Sequence, residues 1–225
     1  MIFAASAAAQ STVLYDGNLP PTATGLTYSA LPPATYYTYG GLQTTLDTNA
    51  NAAIFAGFGT NAIPLDRLSG YTLRIDAQLL SESHSNVDRA GFSILVLSSD
   101  LRGIELGFHT NEIFAQGDSP LFVRGESAPF DSSTALTRYD LVVLGNSYTL
   151  KANGIATLTG ALRDYTAFAG PIDPYETPNS IFFGDDTTSA SGATKFTYVS
   201  VSVPEPTTLA TIAAGMVAVV ARRRR

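Results

Sequence analysis

The chain has 225 residues, of which 45% are hydrophobic and 14% charged, so it is long enough for one sizeable hydrophobic core. It contains no cysteine, which excludes disulfide bonds, thiolate nucleophiles and cysteine-based metal centres. The formal net charge is -6; four Arg and one Glu give residues 204–225 a charge of +3, which leaves -9 on the body. An acidic body of this kind indicates no nucleic-acid partner.

The N-terminus begins with small, apolar residues, MIFAASAAAQ. The run Ala7-Ala8-Ala9 before Gln10 is typical of a signal-peptide end with an A-x-A cleavage site, although a basic n-region is missing. A disordered alanine-rich start is the alternative. We expect residues 1–9 to be the remnant of a signal peptide, and the mature protein to begin near Gln10.

Residues 10–203 show the pattern of short β-strands. In GYTLRIDAQLL, apolar and polar residues alternate over positions 71–79, which predicts a strand with one buried face. The stretch AGFSILVLSS is apolar on both faces, as in a central strand. RGIELGFHTNEIFAQGD predicts a hairpin that turns at residues 109–111. RYDLVVLGNSYTLKANGIATLTG predicts a three-stranded meander, because Gly145-Asn146 and Asn153-Gly154 are tight-turn pairs.

The whole body is predicted to be one all-β domain. SIFFGDD and KFTYVSVSV bring the total to about a dozen strands, which favours an antiparallel β-sandwich. The order of elements, from TVLYDG through the meander to FFGDDTT and a final strand, resembles the concanavalin A-like jelly roll. That fold occurs in lectins, laminin-G-like modules and polysaccharide-cleaving enzymes, and in bacterial surface proteins of the choice-of-anchor type.

Polar residues on the predicted strands suggest a ligand-binding face. We expect this face to comprise Arg74, Asp76, Gln78, Glu105 and His109, with β-strand 71–79 beside the predicted hairpin. Tyrosines from two proline-rich loops, residues 18–37 and 163–180, would add flat apolar area along its edge. A solvated face with exposed ion pairs is the alternative.

Catalysis finds little support in the sequence. Glycosidases need two carboxyl groups at a defined separation across a cleft, and no strand here reads E-x-D-x-E. The nearest pair is Glu105 and Glu112, on opposite arms of the hairpin, and neither has a clearly apolar neighbourhood that would raise its pKa. We therefore expect a protein without enzymatic activity.

Aspartates near two strand ends suggest a structural cation. Asp16 follows the first predicted strand, and Asp185 and Asp186 follow SIFFG. The resemblance to concanavalin-like sandwiches implies that these regions come together, where they would supply oxygen ligands to Ca²⁺. Ordinary aspartate turn chemistry is the alternative. The two histidines, His84 and His109, leave little material for a transition-metal site.

The C-terminus, PEPTTLATIAAGMVAVVARRRR, has three parts in a fixed order. A Pro-Glu-Pro motif that cannot continue a strand or helix precedes fifteen uncharged residues, 207–221. As a helix these would span only about 22 Å, short of the roughly 30 Å hydrocarbon core, and the arginines behind them favour the cytoplasmic side. This arrangement resembles the PEP-CTERM sorting signal. The signal residues are Pro204, Glu205, Pro206, Arg222, Arg223, Arg224 and Arg225.

The sorting-signal resemblance implies where the protein goes and what it meets. It implies processing by an exosortase-type enzyme, with an inner-membrane intermediate held by the C-terminal hydrophobic helix, followed by release or anchoring at the cell surface or outside the cell. Such signals occur in bacteria that make extracellular polysaccharide. We therefore expect a non-catalytic, exported protein that binds or scaffolds extracellular polysaccharide. A polysaccharide-cleaving enzyme of concanavalin-like fold with an unrecognised active site is the alternative.

Overall fold

The computed structural model describes residues 9–170 and 173–204, which form fifteen β-strands and a short 3-10 helix, Pro21–Ala23. The first seven strands are β1 (Ala9–Tyr15), β2 (Thr27–Leu31), β3 (Tyr37–Tyr39), β4 (Thr44–Asp47), β5 (Phe55–Thr60), β6 (Tyr71–His84) and β7 (Ser93–Leu97). The next four are β8 (Gly103–Phe108), β9 (Glu112–Asp118), β10 (Leu121–Pro129) and β11 (Thr137–Leu144). The last four are β12 (Ser147–Ala152), β13 (Ile155–Ala161), β14 (Ile181–Asp185) and β15 (Ala190–Pro204).

The strands form two antiparallel sheets that pack face to face. The eight-stranded sheet has the order β13-β12-β11-β6-β15-β4-β3, and β1 also pairs with β15. The seven-stranded sheet has the order β10-β9-β8-β7-β14-β5-β2. The first half of β15 pairs with β4 and its second half pairs with β1, while β6 runs along its other side. The predicted antiparallel β-sandwich is confirmed.

The strands and buried faces predicted from the apolar patterns of the sequence agree with the structure. The apolar residues of β6 at positions 71, 73, 75, 77 and 79 are all buried, and every residue of β7 is buried on both faces. The predicted hairpin is β8–β9, and the meander is β11–β12–β13 with its turns at the two expected dipeptides. On β15, Val199 and Val201 are buried and Val203 packs against the core.

The core lies between the two sheets, with a smaller apolar cluster on the outer face of the seven-stranded sheet. Large side chains in the main core include Phe58, Ile75, Ile94, Ile104 and Phe196. The outer cluster contains Leu95, Leu97, Tyr165 and Tyr175, with Leu121, Phe122, Phe168 and Phe182 packed against it. Because β7 contributes Ile94 and Val96 inward and Leu95 and Leu97 outward, it is a central strand covered on both faces.

The structure describes the first residue of the predicted sorting signal but not the rest of the signal. Strand β15 runs as far as Pro204, the first residue of the Pro-Glu-Pro motif, and pairs there with Ala9 of β1. Outside the described residues lie residues 1–8 of the expected signal-peptide remnant 1–9, the expected C-terminal hydrophobic helix, Glu205, Pro206 and the four arginines. None of the helices in the described part of the chain is both long and apolar enough to span a membrane.

Candidate functional site

The five residues predicted to form one ligand face lie on two different sheets. Arg74, Asp76 and Gln78 lie on β6 in the eight-stranded sheet, whereas Glu105 lies on β8 in the seven-stranded sheet and His109 directly follows β8. The expectation that β6 neighbours the β8–β9 hairpin is wrong, since β6 pairs with β11 and β15. The periodicity of a strand shows which of its residues share a face, but not which strand lies beside it.

The polar residues of β6 are bound within their own sheet. Arg74 Nε lies 2.6 Å from Asp140 Oδ1, and Arg138 Nε lies 3.6 Å from Asp76 Oδ1. The Gln78 amide donates to a backbone carbonyl at 2.7 Å. This side of the sandwich is therefore a surface of cross-strand ion pairs and hydrogen bonds. It corresponds to the solvated face with exposed ion pairs that was the alternative to a ligand-binding face.

A pocket of about 420 Å³ opens on the outer face of the seven-stranded sheet. Its floor is formed by strands β5, β7 and β14, where Gly57 carries no side chain beside the large Leu95 and Phe182. The Phe182 ring lies across Gly57, so close that a Cβ at Gly57 would come within 2.4 Å of it. Residues 163–180, the second proline-rich loop, contribute Phe168 and Tyr175 to the wall. The main apolar lining residues are Leu31, Phe55, Phe122, Phe168, Tyr175 and Phe182.

Tyr165 fixes the start of this loop against the sheet. Its hydroxyl accepts a hydrogen bond from the Glu105 backbone N–H at 3.2 Å and donates to the Gln116 carbonyl at 2.8 Å. The phenol thus bridges β8 and β9, and the ring is completely buried. Burial raises the pKa of Tyr165 well above its usual value, so the hydroxyl remains a donor.

Two carboxyl groups lie together beneath the pocket. Glu105 is fully buried on the outer face of β8, and Asp186 follows β14 and reaches the pocket. Tyr175 Oη donates a hydrogen bond to Glu105 Oε2. Burial raises the pKa of Glu105 well above its usual value, with repulsion from Asp186 as the next cause. Burial also raises the pKa of Asp186 to about 6.

The pair favours a retained proton. Glu105 Oε1 and Asp186 Oδ2 are buried and have no hydrogen-bond partner among the described residues. Burial and repulsion from Asp186 both raise the pKa of Glu105, so its neutral form is favoured over two neighbouring negative charges.

Arg89 supplies the positive charge beside the pair. It lines the pocket and lowers the pKa of both Glu105 and Asp186, against the larger effect of burial. Its guanidinium carbon lies 4.4 Å from the centre of the Phe122 ring, so the cation stacks on an aromatic wall. The floor of the pocket thus presents a carboxylate acceptor and a guanidinium donor between apolar walls.

The burial of Glu105 limits the chemistry of this pair. Retaining glycosidases hold their two carboxyl groups about 5 to 5.5 Å apart, and inverting enzymes further, so that the sugar fits between them. Glu105 is completely buried and does not line the pocket, so a sugar in the pocket would contact Asp186 but not Glu105. Glu112 is half-exposed, pairs with Arg124, and has a lowered pKa because of hydrogen bonding from Ser127 and Arg124.

The expectation about the two glutamates is thus correct for one and wrong for the other. Glu112 has a polar neighbourhood, whereas Glu105 lies in an apolar one, because the outer face of β8 is covered by Tyr165 and Tyr175. The sequence did carry a signal for this covering: β7, directly beside β8, is apolar on both faces. Sequence analysis did not identify Arg89, Phe122 or Phe168 as pocket residues.

The aspartates predicted to hold Ca²⁺ do not come together in the described part of the chain. Asp16 is exposed and accepts hydrogen bonds from Asn18, as in an ordinary turn. Asp185 is completely buried and hydrogen-bonds to Thr48, while Asp186 belongs to the pair with Glu105. The described residues contain one group of three close metal-ligating side chains, and it does not include these aspartates.

Comparisons with known proteins agree with this fold. No curated protein matches the sequence. A carbohydrate esterase from Shiga toxin-encoding bacteriophage phi24B superposes with a TM-score of 0.57 at 13% identity, over 87% of this chain and 100% of that one. A Bacillus subtilis protein with a galectin-like fold gives 0.55 at 9% identity, over 88% and 100%. Crh5 transglycosylase gives 0.51 at 14% identity, over 89% and 85%. At these identities the likeness shows the fold alone.

The C-terminus matches a known sorting element. The PEP-CTERM protein-sorting motif covers residues 202–225, which include the Pro-Glu-Pro sequence and the four arginines. This match identifies an exported protein and confirms the resemblance stated from the sequence. The chain is an exported protein with a PEP-CTERM sorting motif and a concanavalin-like β-sandwich body.

Proposed function

We propose that this exported protein binds extracellular polysaccharide at the cell surface, without cleaving it, through the pocket on the outer face of the seven-stranded sheet. The observation that carries the proposal is the combination of aromatic walls with Arg89 and Asp186 at the floor of one 420 Å³ pocket. That volume falls in the usual range of ligand pockets, about 300–1,000 Å³.

The chemistry of the pocket suits a sugar ring. Phe122, Phe168 and Tyr175 offer flat apolar surfaces for the C–H face of a pyranose, at a small entropic cost for rigid side chains. Asp186 accepts and Arg89 donates hydrogen bonds, which matches the hydroxyl groups at the ring's edge. Because these two charges cancel locally, the pocket favours a neutral sugar over a strongly charged one.

Export and fold give independent support to this ligand class. The sorting motif directs the protein out of the cell, where extracellular polysaccharide is the expected partner class. Two of the similar structures, a carbohydrate esterase and a transglycosylase, are by name proteins that act on carbohydrates. Export directed by this motif would involve an exosortase-type enzyme and a membrane-held intermediate before the protein reaches the surface.

The test is glycan-array binding by the wild-type protein and by Phe168→Ala. Removing this half-exposed wall residue should weaken binding about tenfold, the equivalent of about 1.4 kcal/mol. Ile155→Ala is the matched control, since Ile155 is 74% exposed on β13 of the other sheet. Equal binding by wild type and Phe168→Ala, or an equal loss in the control, would contradict the proposed site.

A second candidate is a glycan-cleaving enzyme, and one observation favours it. Burial raises the pKa of Glu105 well above its usual value, which favours the protonated state that a general acid requires. Tyr175 orients that carboxyl group. However, Glu105 is fully buried and does not line the pocket, so a substrate in the pocket would not contact it. Turnover of a β-glucan or of the host's exopolysaccharide would distinguish this candidate from simple binding.

A further inference from the structure

Two histidines and a glutamate form a cluster at one rim of the sandwich. Glu82 and His84 lie at the end of β6, and His109 begins the turn between β8 and β9. One ligand atom from each residue lies within 4.8 Å of the other two. The sequence gives no indication of this proximity, because β6 and β8 belong to different sheets.

The Glu82 carboxylate of this cluster is buried, and few hydrogen-bond donors offset the cost of burying its charge. The Glu82 side chain is only 3% exposed, and each of its oxygens lies 3.0 Å from His84 Nδ1. Among the described residues it has no other hydrogen-bond partner. A buried carboxylate is costly unless a cation or several donors face it, so this position is suited to a positive ion.

A hydrogen bond to the backbone fixes the orientation of the His109 ring. Its Nε2 lies 2.8 Å from the Arg89 carbonyl oxygen, which can only accept a hydrogen bond. Nε2 therefore carries the hydrogen of the neutral ring, and the lone pair is left on Nδ1. Metal-binding histidines characteristically donate their second N–H to a carbonyl or carboxylate in this manner, which fixes the tautomer and the ring orientation.

We propose that Glu82, His84 and His109 bind a divalent transition-metal ion, with Zn²⁺ the best match. Two imidazole nitrogens and one carboxylate oxygen are ligands that Zn²⁺ takes, whereas Ca²⁺ and Mg²⁺ prefer oxygen alone. Three protein ligands leave a fourth position of the tetrahedral ion open to water or to an oxygen of another molecule.

Binding requires a small movement of one ring. The His84 and His109 rings are stacked, with centroids 3.9 Å apart and planes 4° from parallel. An ion cannot lie in both ring planes at once in that arrangement, so His84 must turn out of the stack. The His84 side chain is 29% exposed, which leaves it room to do so, whereas His109 is held by its carbonyl partner.

Titration calorimetry with ZnCl₂ tests this site on tag-free, full-length protein from which metal has been removed. We expect one Zn²⁺ per chain in the low micromolar range or tighter. His84→Ala and Glu82→Gln should each weaken binding at least about tenfold, since each removes one ligand. Asp16→Asn is the matched control: it removes an exposed carboxylate from the Asn18 turn and should leave zinc affinity unchanged.

Cobalt substitution provides a second readout. Co²⁺ in a tetrahedral site of nitrogen and oxygen ligands absorbs visible light strongly, and that absorption should be lost in His84→Ala. Circular dichroism checks that this variant, which alters a partly exposed residue at a strand end, keeps its fold. Failure of the wild-type protein to bind Zn²⁺, or undiminished binding by folded His84→Ala, would overturn the proposal.

Discussion

Replacing Asp185 by Asn should stabilise this protein, and the gain should grow with pH. Asp185 ends β14 with no exposed surface, and it hydrogen-bonds to Thr48 while accepting from the Thr187 N–H. Burial raises its pKa from 3.8 to about 8. The neutral acid is therefore the form that the folded protein prefers. An asparagine has nearly the same shape, and its amide can donate toward Thr48 while its oxygen accepts from Thr187.

The sign and size follow from proton linkage. An acid whose folded pKa is raised contributes its full stability below the unfolded value, here 3.8, and loses it as the pH rises toward about 8. Each pKa unit corresponds to about 1.36 kcal/mol, so the loss across this window is about 6 kcal/mol. Asp185→Asn has no proton to lose. It should match wild type near pH 4 and exceed its free energy of unfolding by several kcal/mol at pH 8 and above.

The assay is urea unfolding at pH 4, 6 and 8.5, followed by circular dichroism because the chain has no tryptophan. Asp131→Asn is a control of opposite sign, since hydrogen bonds from Thr134 and Ser133 lower the pKa of the exposed Asp131. That change should bring no gain at high pH. If the stability difference between Asp185→Asn and wild type does not vary with pH, the reasoning about a neutral buried acid is wrong.

Two further predictions concern the carboxyl pair and the tail. The double change Glu105→Gln with Glu112→Gln should keep the fold and glycan binding and remove no hydrolytic activity, because glutamine keeps an oxygen acceptor for Tyr175 Oη and carries no charge at the buried position 105; turnover that this change abolishes would favour the enzyme. Protein from the native host should have lost Arg222–Arg225 through processing of the sorting motif, as intact-mass analysis would show; a mature species ending in Arg225 would contradict this.

Local sequence patterns predicted the strands and their buried faces, but they did not predict which residues form the candidate site. The alternation in β6 and the two-sided apolar pattern of β7 predicted their burial, because both depend only on side-chain period. The predicted ligand face failed because it needed the order of strands in space. β6 and β8 are separated by only one strand in sequence, yet they lie in different sheets.

The pocket is formed by contacts between residues that are far apart in the sequence, and local sequence patterns do not predict such contacts. Tyr175 reaches Glu105 across 70 residues of chain, and Tyr165 reaches it across 60. The sequence did identify their loop as rich in tyrosine, and it placed Glu105 on a strand facing away from the main core. What it lacked was the information that the loop folds back onto that strand and turns a polar position into a buried one.

The pairing of Ala9 with Pro204 has a consequence for how the protein is presented outside the cell. Both expected processing points, the signal-peptide end and the Pro-Glu-Pro motif, adjoin one short ladder between β1 and β15. From there β15 runs fifteen residues to Ala190, which pairs with His84, a distance of about 45 Å. A chain held by its tail would thus carry the Glu82–His84–His109 rim at the far tip, pointing away from the bilayer. If both expected points are processed, the two new ends of the chain would be joined to each other by the β1–β15 ladder.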